Sequence, residues 1–166
     1  MNEKLVTIDA EFPSNQKHKK PSKHGTIDTT NMAAHLELKK NAKIMLLQNI
    51  DIADGLVNGV TGKIIDFEYR KIKGKLELIA VIVQFDDEKI GKHLRQQHLN
   101  LSEKVKNENG VPIFKRRCEY KSQKHAGSKK RGRDLWVKQF PLVLAFASTG
   151  HKLQGRTIKN EDLVCH

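Results

Sequence analysis

Hydrophobic residues along this chain fall into short runs bounded by turn residues, a spacing that favours strands over long helices. LVTIDAEF, residues 5–12, alternates branched or aromatic positions with others and predicts a strand. PSNQKHKKPSKHGTIDTTN then gathers turn formers and positive charge and predicts a basic loop. From Leu36, LELKKNAKIMLLQN ends in an apolar run too short for a helix, so Lys43 to Leu47 is expected to be a buried strand. The D-G-L-V-N-G-V-T-G that follows is dense turn punctuation. GKIIDFEY and KLELIAVIVQFDD are rich in Ile, Val and Phe, and the R-K-I-K-G-K between them suits a glycine-containing hairpin, giving an antiparallel β unit.

Beyond it, EKIGKHLRQQHLNLSEKVKNENG interleaves leucines with polar residues and predicts a short helix ending before Asn109-Gly110. VPIFKRRCEYKS returns to strand character. KHAGSKKRGRD cannot bury enough apolar surface to fold alone and is expected to be a disordered or DNA-facing loop. LWVKQFPLVLAFASTGHKLQGRTI is the most apolar stretch, and Pro141 argues against a central place in one long strand. A strand entering a tight functional turn is the expected form. No repeat period is visible, which excludes a solenoid.

Composition sharpens this picture. With 37% hydrophobic, 5% aromatic and 30% charged residues, 166 residues make a domain-sized chain that is polar for one filling a core by itself; a partner domain or long solvated loops would account for that. Lys and Arg total 31 against 19 acidic residues, a formal charge of +12, which favours a polyanionic partner and nucleic acid first. Cys118 and Cys165 stand far apart without a C-x-x-C pair, so neither a disulfide framework nor a four-cysteine zinc site is indicated. The N-terminal residues lack the apolar core of a signal peptide and no run reaches the roughly 18 apolar residues of a membrane span, so a soluble, intracellular chain without a membrane partner is expected.

Candidate chemistry is sparse. G-L-V-N-G-V-T-G-K resembles a phosphate-binding loop, but Val57 occupies the place of the first glycine of G-x-x-x-x-G-K-[ST] and Ile64 that of the hydroxyl residue. These glycines are expected to provide positive-φ turns between strands instead. Cys118 and His125 lie near one another and His93 and His98 are five apart, but no paired ligand motif appears, so no metal site is predicted. No local hydrolase signature is present, and no catalytic residue is assigned.

Two blocks carry more information: LELKKNAKIMLLQNIDIADGLVNGVTG at 36–62 and FPLVLAFASTGHKLQG at 140–155. Both resemble superfamily 1 DNA helicases of the PIF type, including the helicase parts of Helitron transposons. In that family L-x-L-K-x-G-A-x-V-M-L-x-x-N precedes G-L-x-N-G-x-x-G, and P-L-x-L-A-x-A-x-T-x-H-K-x-Q-G follows later. The resemblance spans nearly the whole chain. It implies a β-rich α+β fold: part of a second RecA-like domain with an inserted SH3-like β-barrel, divided as residues 1–57, an insertion with its basic loop at 58–134, and a return to the RecA-like domain at 135–166.

The resemblance places Thr149, His151 and Lys152 on the DNA side, and assigns Gln154 and Gly155 to coupling with nucleotide. Short polar and cationic groups after an apolar strand can be held rigidly against a phosphate chain, which suits His151 and Lys152 as donors to backbone oxygens. Asn58 either touches nucleic acid or serves only the Asn-Gly turn. Phe146 is assigned to core packing rather than base stacking. Asn41 stands where the family usually has glycine, and Gly150 where it has a β-branched or small apolar residue.

The expected function is therefore that of part of an ATP-dependent 5′-to-3′ DNA helicase acting in repair or recombination, its partners being single-stranded DNA and a first RecA-like domain of the same parent chain. No specific homo-oligomer is indicated. The alternatives are a stand-alone basic nucleic-acid-binding module and a degenerate, transposon-derived remnant. A motor needs a Walker A loop, a metal-holding carboxylate and an arginine finger. The Walker loop is not among these residues, and the sequence ends before the family's arginine-bearing motif, so this chain alone is expected to bind no ATP or Mg²⁺ and to be inactive, those cofactors belonging to the parent. A nuclear or organellar location follows only from the DNA role.

Overall fold

The computed structural model describes residues 5–12, 32–121 and 134–145. In chain order the elements are β1 (Val6–Asp9), β2 (His35–Leu38), β3 (Lys43–Leu46), β4 (Thr61–Ile72) and β5 (Lys75–Phe85). Two short helices follow, α1 (Lys92–Gln97) and α2 (Glu103–Asn107), and then β6 (Val111–Phe114), β7 (Arg116–Lys121), β8 (Asp134–Gln139) and β9 (Leu142–Leu144). The β-rich expectation is met.

The centre is a five-stranded antiparallel sheet in the order β6-β5-β4-β3-β9. In β5, Ala80, Val81, Ile82 and Val83 are all buried, the continuous apolar run expected of a strand covered on both faces. On one face the main core gathers Ile44, Leu46, Ile64, Val81, Val83, Phe140 and Leu142, with Leu36, Leu38 and Ile8 from the β1–β2 pair laid over it. On the other, Ile65, Ala80 and Ile82 meet Val105 of α2. At Gly62 the strands come so close that a β-carbon would lie 2.5 Å from the Gln84 carbonyl oxygen, so only glycine fits.

β1 pairs with β2, and β7 with β8, as separate antiparallel ribbons. The second ribbon is tied to the first where Glu11 and Lys138 exchange backbone hydrogen bonds, both of 2.9 Å. Gln139, fully buried, closes the junction: its Nε2 donates to the carbonyls of Ile8 (3.1 Å) and Ala33 (3.3 Å), while its Oε1 accepts the Phe140 amide (3.0 Å). This satisfies every polar atom that the side chain takes out of water. Pro141 then separates β8 from β9, and β9 takes the sheet edge, where a missing amide is tolerated.

Candidate nucleic-acid interface

The loop between β3 and β4 is built from local hydrogen bonds. The Ile50 and Asp51 amides donate to the Leu56 carbonyl, the Leu56 amide donates to the Asp51 carbonyl, and the Asp51 carboxylate accepts the Asp54 amide. The Asp54 carboxylate accepts the amides of His93 and Leu94, both at 2.9 Å. Gly91, which precedes α1, has no side chain to cap the helix, so Asp54 supplies the acceptors from a distant part of the chain. Asn58 follows in a turn closed by the Val60 amide on the Val57 carbonyl, with Gly59 at φ 96°. Only the glycine of this Asn-Gly pair has positive φ, as in a type II turn rather than a type I′ hairpin. The Asn58 amide donates to Asn49 Oδ1 at 2.8 Å, and Asn58 itself is exposed.

Lys39 and Lys40 lie in the turn before β3, Lys43 in β3 and Lys63 in β4. The turn Lys39–Ala42 closes through the Ala42 amide on the Lys39 carbonyl and docks on β4 through the Asn41 amide on the Ile64 carbonyl at 2.8 Å. Asn41 has φ 66°, a conformation asparagine accepts better than most residues other than glycine, which accounts for its standing at a glycine position. Directly across the strands, Lys43 faces Lys63, both exposed. Like charges in register repel. The sequence contained both lysines, but their juxtaposition depends on strand register, which the sequence alone did not supply.

Lys115, Lys138 and Arg117 are engaged in the fold. Lys115 lies 2.8 Å from Glu11 and Lys138 3.4 Å from its second carboxylate oxygen. Burial pushes the Glu11 pKa up, but the two ammonium groups together outweigh it and hold the carboxyl below its ordinary value. Arg117 stacks over Trp136 with its guanidinium 4.9 Å from the ring centre and pairs with Glu119 at 3.1 Å. Residues 116–121 are strand; Lys115 reaches Glu11 beyond β1, and Arg117 holds contacts within the β7–β8 ribbon.

Among the described residues no group of three or more His, Cys, Asp or Glu could hold a metal ion. His93 bonds Gln97 on α1 and His98 packs against Phe114, with ring centres 4.9 Å apart. No helix is long and apolar enough to cross a membrane among the residues described. Of the sequence-predicted site residues, Asn58 alone lies within the described part; Thr149, His151, Lys152, Gln154 and Gly155 lie outside it, as do Phe146, Gly150 and the loop at 122–133.

Residues 24–67 match the family model of the DNA helicase Pif1 2B domain. That stretch includes the Lys39–Ala42 turn, β3, the Asn58 turn and the Lys43–Lys63 pair. Among solved structures, Pif1 helicase from Candida albicans is 22% identical, with 95% of this chain matched to 33% of that one at a TM-score of 0.56. A Bacteroides Pif1 bound to single-stranded DNA is 24% identical, with 95% of this chain matched to 28% of that one at a TM-score of 0.49. The chain spans about a third or less of the length of these helicases. No curated protein matches it. The PIF-type helicase resemblance read in the sequence is borne out, as a shared 2B region within a shared fold.

Proposed function

We propose that this chain forms part of the second motor region of an ATP-dependent 5′-to-3′ DNA helicase and contributes contacts to single-stranded DNA. The observation that carries this reading is the Pif1 2B match at 24–67, in a chain whose later residues hold T-G-H-K-L-Q-G. In this reading, the chain combines an SH3-like insertion with part of a RecA-like domain. Thr149, His151 and Lys152 contact the DNA backbone, and Gln154 and Gly155 couple that contact to nucleotide. ATP and Mg²⁺ are bound by the partner RecA-like domain, since neither a Walker loop nor its hydroxyl ligand is among these residues. The net charge of +12 supports a polyanionic partner.

Lys152 gives the sharpest test. One charge-assisted bond from its ammonium group to a phosphate in an ordered site contributes on the order of 1.5 to 3 kcal/mol, and less if exposed. Lys152→Ala in the full chain is therefore expected to weaken single-stranded DNA binding measurably while leaving the far-ultraviolet dichroism unchanged. Unaltered binding in a folded Lys152→Ala protein would reject the DNA role assigned to this residue.

A further inference from the structure

β4 and β5 run well past the rest of the sheet. β3 covers β4 only opposite residues 61–63, and β6 covers β5 only opposite 80–83. Between Tyr69 and Leu78 the two strands pair only with each other, in the register Tyr69 with Leu78, Arg70 with Glu77, Lys71 with Leu76 and Ile72 with Lys75. Every residue from Tyr69 to Glu77 is exposed. Four strand residues on each side at about 3.4 Å per residue give a free ribbon of roughly 14 Å.

Its composition is unusual for an unsupported ribbon. Arg70, Lys71, Lys73 and Lys75 are cationic, and no acidic residue lies between them. Glu68 and Glu77 flank the tip, and Glu77 stands opposite Arg70, so the excess of charge is concentrated at the end. Exposed apolar groups accompany it: Leu76 at 67%, Tyr69 at 40% and Ile72 at 39%. At the apex Lys73 has φ 49° and Gly74 φ 80°, the pair of positive values required by a two-residue type I′ turn. Asn, Asp or Gly is favoured at the first of these positions. A lysine held there accepts backbone strain and places its charge at the outermost point.

We infer that this ribbon is a duplex-DNA contact that enters the major groove tip first. A two-stranded β-ribbon fits that groove, about 12 Å wide and 8.5 Å deep, and the free length here exceeds the depth. Arg70 and Lys75 lie on one face, Lys71 on the other and Lys73 at the turn, so charge is available to the phosphates of both groove walls. Ile72 and Leu76, also on opposite faces, supply apolar contact to base edges and thymine methyl groups. The groove beside the ribbon, between β1 and Tyr69, Leu76 and Leu78, is lined by Asp9, Glu11 and Glu77 against Lys115 and Lys138. That balance is unfavourable for a phosphate chain, and it leaves the tip as the ribbon's binding end. The choice of DNA as the polyanion rests on the helicase reading; the ribbon's role on the duplex is separate from the single-strand contacts assigned there.

The test uses the full chain, a short blunt duplex and an oligothymidine strand, with binding measured across a range of salt. In one variant Lys71→Gln, Lys73→Asn and Lys75→Gln are combined; asparagine suits the turn, so the ribbon is retained. A control removes the same charge from exposed positions elsewhere, as Lys89→Gln, Lys92→Gln and Lys106→Gln. The ribbon variant is expected to lose at least about tenfold in duplex affinity, and its log–log salt slope should flatten by about 0.9 for each lost duplex phosphate contact. The control should lose much less, and oligothymidine binding should change little in both. Unchanged duplex binding, an equal loss on oligothymidine, or an equal loss in the control would overturn the proposal. A wild-type chain that binds duplex through the ribbon but fails to bind oligothymidine would instead reject the single-strand reading and leave the ribbon standing; binding to neither rejects both.

Discussion

Glu11 couples charge to the junction between the β1 end and β8. Its carboxylate meets Lys115 and Lys138, and its backbone pairs with Lys138. Because the pKa of the folded form is held below the ordinary glutamate value, the stabilisation is full above the range in which the unfolded chain titrates. It is lost as pH falls through the lowered folded value. The side chain is 46% exposed, so solvent screening limits the effect to below about 1 kcal/mol. Thermal melts of the wild type and Glu11→Gln should differ slightly at neutral pH and converge in acid. A difference that grew on acidification would contradict this assignment. Asn41 shows a similar economy: the departure from the family's glycine is read in the sequence, but its compatibility with φ 66° is visible only in the folded turn.

Among the elements, those set by local pattern were legible. The strand at Lys43–Leu46, the β4–β5 hairpin, the break at Pro141 and the turn glycines follow from alternation, β-branched residues and backbone limits. The hairpin turn is tighter than R-K-I-K-G-K suggested, because Ile72 and Lys75 already pair and leave only Lys73-Gly74 between the strands. The single expected helix is two, interrupted at His98–Ser102, with Ser102 accepting the Lys104 amide at the second start. What escaped the sequence is what depends on residues far apart in the chain. Asp54 capping α1 has no local signature, since its acceptor oxygens meet amides about forty residues away. Asp54→Ala should cost about 1 kcal/mol, the usual value of a lost N-terminal cap, and should speed exchange of the His93 and Leu94 amides. An unchanged denaturation midpoint with unchanged exchange would show that solvent replaces the carboxylate at no cost.

At the scale of the molecule, one sheet gathers strands from residues 43–46, 61–85, 111–114 and 142–144, so the segment leading to T-G-H-K-L-Q-G is anchored beside the Pif1 2B-type region. β9 pairs with β3, and β3 with β4, which puts the entrance to that motif two strands from Lys63 and one from Lys43. The lysines of β3 and β4 and strand β9, which precedes that motif in the chain, thus lie at one end of the strand order. The most direct measurement is the equilibrium affinity of the full chain for oligothymidine across a range of salt. A backbone-tracking interface predicts a linear fall of log affinity with log salt, about 0.7 for each phosphate contacted, and a shallower slope in a folded chain carrying both Lys63→Gln and Lys152→Ala. Absence of binding at low salt, or an affinity independent of salt, would contradict the nucleic-acid account.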